Sequence, residues 1–370
     1  MVSRSQRRFR LDYHPDTPNA DDTAPAPARQ GRCTRRVWLA KLTALAISCV
    51  GALVIAETAV RLFVPVRNVG PAFSVFDPVY RSSHKKSFTA TRITPEFTMR
   101  IKLNAQGFRG PELGLPVRNG ILFIGDSYTE GYGVNDGEEF PRLVGQRLSQ
   151  RYGPMTVINY GVGNTGNGRW IKILERDAVQ YDPKLVVLQF CDNDFGDNVR
   201  ERLYEVRNDR TLVELPVSMP SMVQRFAMWV DTVPLVSYSR LVSLGREVIT
   251  WMAGQQGESV PTASPQPRVE DELTYAIVRR ALAISAERRW PVVMLTVLGE
   301  RPDRHHRLKA LADEADVPLV EAPDPSHHPE LYYRVDAHWN AAGHRRIAEV
   351  LFEQIVASEG KLGLRHAASR

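Results

Sequence analysis

Apolar residues change their spacing twice along this chain. Leu42–Ala56 carries no charge, and Val37–Ala40 lengthens the run to twenty residues if the Lys41 ammonium reaches back to an interface. A helix of that length spans roughly the 30 Å of a bilayer core. Arginines crowd its N-terminal side, while Glu57 and Arg61 follow it without a small-residue cleavage site. Residues 37–63 therefore read as an uncleaved anchor rather than a signal peptide, and the positive-inside rule places residues 1–36 in the cytoplasm and the rest of the chain outside it. The tail is polar, with Pro25 and Pro27 among alanines, and is expected to be disordered.

After a turn-rich juxtamembrane segment, 64–118, the pattern becomes regular. Strand-like apolar runs at Gly120–Ile124, Met155–Asn159, Leu185–Phe190, Pro291–Val297 and Val317–Val320 alternate with helical stretches. Leu273, Ala276, Ile277, Ala281 and Ile284 share one face of a helix near 270–289, as do Ile347, Val350, Leu351 and Ile355 of one near 341–359. Strands that are apolar throughout and separated by helices imply a parallel sheet covered on both faces, hence a doubly wound α/β domain over 119–360. Residues 200–268 interrupt the alternation with Arg, Trp, Met and Pro and no strand-like core run, and Gly254–Pro267 reads as a linker. An insertion there lies on the carboxyl edge of the sheet, where ligands bind in open α/β folds.

Charge narrows the function classes. The net charge is +6, yet residues 1–41 hold nine basic against four acidic side chains, so the folded part is nearly neutral and offers no basic footprint for nucleic acid. Three scattered cysteines, Cys33, Cys49 and Cys191, form no disulfide framework. The adjacent pairs His305-His306 and His327-His328 lack the carboxylate or thiol spacing of a metal site and read as solvated, and no metal or cofactor is expected.

Four segments carry candidate chemistry. Ile121–Gly131 runs from a buried strand through Gly125-Asp126-Ser127 into a turn, which can present the Ser127 hydroxyl at the strand's carboxyl end. A serine needs a base, and His338 lies in Asp336-Ala-His338-Trp339-Asn340 just before the last helix, with Asp336 available to hold the imidazole tautomer. An oxyanion needs preorganised donors. Gly161-Val-Gly163-Asn164 and Asn193-Asp194 offer them after the second and third strands.

In that order and at those strand ends, the four segments resemble the blocks of the SGNH/GDSL hydrolase family over about residues 104–360. The resemblance implies a flavodoxin-like three-layer α/β/α sandwich, with Ser127, His338 and Asp336 as triad and Gly163 and Asn193 as oxyanion donors. The family glycine of the second block aligns with either Gly163 or Asn164. The anchor and Asn104-Ala-Gln-Gly107-Phe-Arg109-Gly110 are similar to those of exported bacterial members, which implies a single-pass inner-membrane protein with a periplasmic catalytic domain. One residue separates Asp336 from His338 where the usual block has two, as in the Asp-x-His-Trp motif of alginate O-acetylation proteins. In an extended segment that spacing points the side chains apart, so the loop must turn.

The expected function is hydrolysis of O-acyl esters on exported glycans or lipids through an acyl-serine, with the membrane as the other partner. A polysaccharide O-acetyltransferase would use the same acyl-serine with a sugar acceptor. A non-catalytic carbohydrate-binding module would have lost one of the groups for which this chain has candidates.

Overall fold

In a computed structural model, residues 30–114, 116–257, 266–297, 299 and 301–365 are described. The expected disordered tail falls mostly outside them. Helix α1 (Gln30–Phe63) opens the described chain. Its Arg36–Phe63 portion, 28 residues, is long and apolar enough to cross a membrane by length and composition. Two antiparallel hairpins follow: β1 (Ser74–Asp77) with β2 (Arg81–His84), and β3 (Phe88–Ile93) with β4 (Thr98–Leu103).

The regular part runs β5 (Gly120–Gly125), α2 (Ser127–Glu130), α3 (Phe140–Tyr152), β6 (Thr156–Gly161), α4 (Gly168–Arg176), β7 (Pro183–Cys191) and α5 (Asp194–Glu201). It resumes with α9 (Gln266–Glu287), β10 (Val292–Val297), α10 (Pro302–Glu314), β11 (Leu319–Glu321) and α11 (Ala341–Ala357). Between them, where no strand was expected, lie a short antiparallel hairpin, β8 (Tyr204–Val206) and β9 (Leu212–Glu214), and helices α6 (Met222–Val230), α7 (Pro234–Ser237) and α8 (Arg240–Gly257). Three-residue strands are too short for a periodic signal. The hairpin is held by contact rather than pattern: Lys172 pairs with Glu214, and its ammonium sits 5.7 Å from the Tyr204 ring centre. The expected linker is helical up to Gly257, and residues 258–265 lie outside the described part.

Strands β6, β5, β7, β10 and β11 form one parallel sheet in that spatial order. This is the flavodoxin-like order 2-1-3-4-5, whose switch point lies between the first and third strands. Alternation along each strand feeds two cores. Leu122, Ile124, Val186, Leu188, Val292 and Met294 pack under α4, α5, α9 and α10. Ile121, Phe123, Leu185, Val187, Val293 and Leu295 pack under α3 and α11. The result is the three-layer α/β/α sandwich.

Residues 64–118 share one compact unit with the sheet, Ala56–Arg370. In the Asn104–Gly110 motif the Asn104 side-chain oxygen accepts from the Gln106 and Phe108 amides, and this Asx turn aims Arg109 inward. The buried Arg109 guanidinium donates to the carbonyls of Glu130 (3.1 Å), Gly131 (2.5 Å) and Val134 (2.6 Å) and pairs with Asp136 at 3.0 Å. It thereby fixes the loop that leaves α2. Removing a buried cation with this many partners costs on the order of 3–5 kcal/mol. Arg109→Met should therefore lower the unfolding midpoint sharply in thermal melts, whereas Arg345→Met on the exposed side of α11 should leave it unchanged.

Candidate active site

Strand β5 ends at Gly125, where an added Cβ would lie 2.3 Å from both the Gln189 and Thr129 side-chain oxygens; only glycine fits. Asp126 then caps α2, accepting from the Tyr128 amide at 2.9 Å, and its own N–H donates to Gln189 Oε1. This turn sets Ser127 at the start of α2, above the sheet's carboxyl edge.

The Ser127 Oγ lies 2.8 Å from His338 Nε2, and His338 Nδ1 lies 2.6 Å from Asp336 Oδ1. The turn required by the one-residue spacing is made at Ala337, whose φ of +64° is left-handed. Three groups hold it there. Glu96 accepts from the Val335 and Asp336 amides at 3.0 and 2.8 Å, the Tyr128 hydroxyl donates to the Ala337 carbonyl at 3.1 Å, and the Tyr333 amide donates to the His338 carbonyl at 2.8 Å. Trp339, fully buried, packs 4.5 Å from the Tyr128 ring, which itself lies 4.9 Å from the imidazole.

Ser127, Asp336, His338, Gly163 and Asn164 line one cleft of about 910 Å³, walled also by Arg67, Arg92 and, from α8, Ser243, Leu244 and Arg246–Val248. The two candidates of the second block differ there. Gly163 donates its N–H to Glu130 Oε1 at 3.0 Å. Asn164 takes a left-handed φ of +57°, the conformation glycine favours, and among the described residues its N–H meets no acceptor. Asn193 stands exposed at the head of α5, outside the cleft lining, with one amide hydrogen given to Asp197 Oδ2 at 2.8 Å.

Burial sets the electrostatics. It lowers the His338 pKa, but the hydrogen bond and charge of Asp336 outweigh it, and the net shift is upward. Asp126, fully enclosed, is pushed up to about 6 by burial, and the Tyr128 amide offsets only part of that. His344, the second histidine of the last block, is pushed down to about 3 by burial and accepts from the Phe140 amide, so it is a neutral brace for α3. Burial also raises the Cys191 thiol, which keeps it protonated.

The sequence reading left Glu130, His84, Glu96 and Arg109 without roles. Glu130 lies within Ile121–Gly131 and Arg109 within Asn104–Gly110, so position in a motif was their signal. His84 and Glu96 lie in unpatterned chain and gave none.

The GDSL-like lipase/acylhydrolase family model matches residues 123–346. No curated protein matches the chain. Among solved structures it is similar to an acetylxylan esterase from Geobacillus stearothermophilus, at 14% identity and TM-score 0.40, over 70% of this chain and 100% of that one. It is also similar to a psychrotrophic esterase from Pseudoalteromonas sp., at 12% identity and TM-score 0.40, over 66% of this chain and 100% of that one.

The left-handed Ala337 is strained by about 1 kcal/mol, which glycine would relieve at some entropic cost. Ala337→Gly should keep ester turnover and leave the thermal midpoint equal or higher. Ala337→Val, β-branched at a left-handed position, should lower both the midpoint and turnover.

Proposed function

The chain belongs to the GDSL-like lipase/acylhydrolase family and is an ester-bond hydrolase, and from this premise we propose that it cleaves O-acyl esters through an acyl-serine formed on Ser127. The observation that carries the proposal is the continuous hydrogen-bonded line from Ser127 through His338 to Asp336, at 2.8 and 2.6 Å, on the wall of an open cleft. His338 Nε2 takes the Ser127 proton as Oγ attacks the ester carbonyl carbon. The tetrahedral oxyanion is held by two backbone donors that face the cleft, the Asn164 N–H and the first-turn N–H of Ser127. Collapse breaks the ester C–O bond, the imidazolium returns its proton to the departing alcohol, and water repeats the sequence to release the acid. Asp336 keeps Nδ1 protonated and stabilises the imidazolium.

The proposed setting is a bacterial inner membrane crossed once by α1, with the cleft on the periplasmic side and an acylated glycan or lipid as substrate. The apolar stretch Arg36–Phe63 and the arginines before it support this reading.

Ser127→Ala should abolish turnover of short acyl esters while the far-UV spectrum and thermal midpoint stay at wild-type values. Catalysis needs neutral His338, so kcat/KM should rise with pH through the elevated imidazole pKa, with half-maximum above the usual value of about 6.5. Asp336→Asn removes the charge that raises this pKa, which should move the acidic limb to lower pH and reduce kcat by about 10³–10⁴-fold. Retained activity in Ser127→Ala, or an unmoved limb in Asp336→Asn, would overturn the respective role.

For the membrane arrangement, protease added to spheroplasts should digest the chain beyond Phe63 and spare the N-terminal tail. A protected catalytic domain would reverse the topology.

A further inference from the structure

A second cavity, of about 470 Å³, lies beside the catalytic cleft and is lined by Tyr80, Lys86, Gln106, Tyr160, Arg169 and Asp177, among others. His84 also lines it, while Glu130 lines the cleft, so the 2.6 Å contact between these two buried side chains forms part of the partition.

Arg169, on the first turn of α4, is 3% exposed. Its one hydrogen bond among the described residues runs from Nη1 to Thr165 Oγ1 at 3.2 Å, its Nε is buried without a partner, and it forms no ion pair. The Tyr80 ring covers it at 5.8 Å. The acids nearest it, Glu201 and Asp77, act on it from beyond ion-pair distance and accept from other groups. Asp77 accepts from the Val79 and Tyr80 amides, Asp177 from the Tyr160 hydroxyl, and Glu201 from the Gly166 amide. Burial pushes Glu201 up to about 7, so near neutral pH it supplies only part of a countercharge. A guanidinium withdrawn from water without a bound anion is costly. The same cavity holds an unpartnered acceptor, Gln106 Oε1.

We propose that this cavity is a binding site for a small hydroxylated anion, with its carboxylate or phosphate on Arg169 and Lys86 and a hydroxyl donated to Gln106. Four aromatic rings in the lining, Tyr80, Phe108, Tyr160 and Tyr181, suit the apolar faces of a sugar-sized molecule. The ligand is thus a sugar acid or sugar phosphate bound apart from Ser127.

The test is calorimetric titration of the full-length, detergent-solubilised protein with glucuronate, glucose 6-phosphate and glucose. Saturable binding of either anion and none of glucose is expected, and the tighter anion identifies the preferred group. Arg169→Gln should weaken binding about ten- to hundredfold, the loss of charged hydrogen bonds. Lys86→Gln, at an exposed position and harmless to folding, should weaken it severalfold and serves if Arg169→Gln does not fold. Absence of saturable anion binding, or undiminished affinity in both variants, overturns the proposal. So does loss of binding in Arg246→Gln with retention in Lys86→Gln, because Arg246 lines the catalytic cleft instead.

Discussion

Placing the carboxylate of Glu130 three residues beyond Ser127, the proposed nucleophile, with its side chain only 2% exposed, is the constraint around which the site is arranged. A carboxylate taken out of water loses several kcal/mol of hydration unless other groups replace it. Here the replacements come from separate parts of the chain: His84 from the end of β2 at 2.6 Å and the Gly163 amide from the loop after β6 at 3.0 Å. Burial alone would raise the Glu130 pKa, yet His84 and the Gly163 amide hold it below the usual carboxylate range. Arg109 ties the carbonyl of the same residue. Hence the nucleophile turn, the second-block loop and the N-terminal hairpins share one polar network, and none of them can shift without uncovering a buried charge.

The central sheet was legible because its strands are buried on both faces. Apolar runs such as Leu185–Phe190, interrupted by Gln189 alone, can hardly be anything else once helical stretches separate them, and the five strands fall within two residues of the expected ends. The proposed nucleophile, base and acid stood out for another reason: Ser127 directly follows a buried strand, and Asp336 and His338 lie in the short polar segment before the last helix, where composition switches abruptly. The hairpins at 74–103 were not legible. Only β4 alternates cleanly between buried and exposed positions, and β1 is half-buried throughout, a burial pattern set by the rest of the unit rather than by local sequence.

The Asp336–His338 spacing shows a third kind of legibility, in which a sequence states a problem without its solution. Alternation along an extended segment would separate the two side chains, and the structure reunites them by turning one residue left-handed. That conformation is not intrinsic to alanine. It depends on Glu96 accepting two successive amides from the other end of the unit, an arrangement with no trace in the local sequence. Gly163 and Asn164 show a similar contrast: the glycine amide is committed to Glu130, and the asparagine takes the glycine-like backbone.

The Glu96 contact also bears on modularity. A fragment starting at β5 would include every block of the proposed site, the whole parallel sheet and most of both sheet cores, losing Phe108 and Val117, and by motif content would pass for an autonomous enzyme. It would lack the carboxylate that bends the acid loop, the imidazole that hydrogen-bonds Glu130 and the guanidinium that secures the loop after α2. The boundary of the folding unit and the boundary of the catalytic unit therefore differ in this chain, and the difference is made by some fifty residues that look, in one dimension, like a tether.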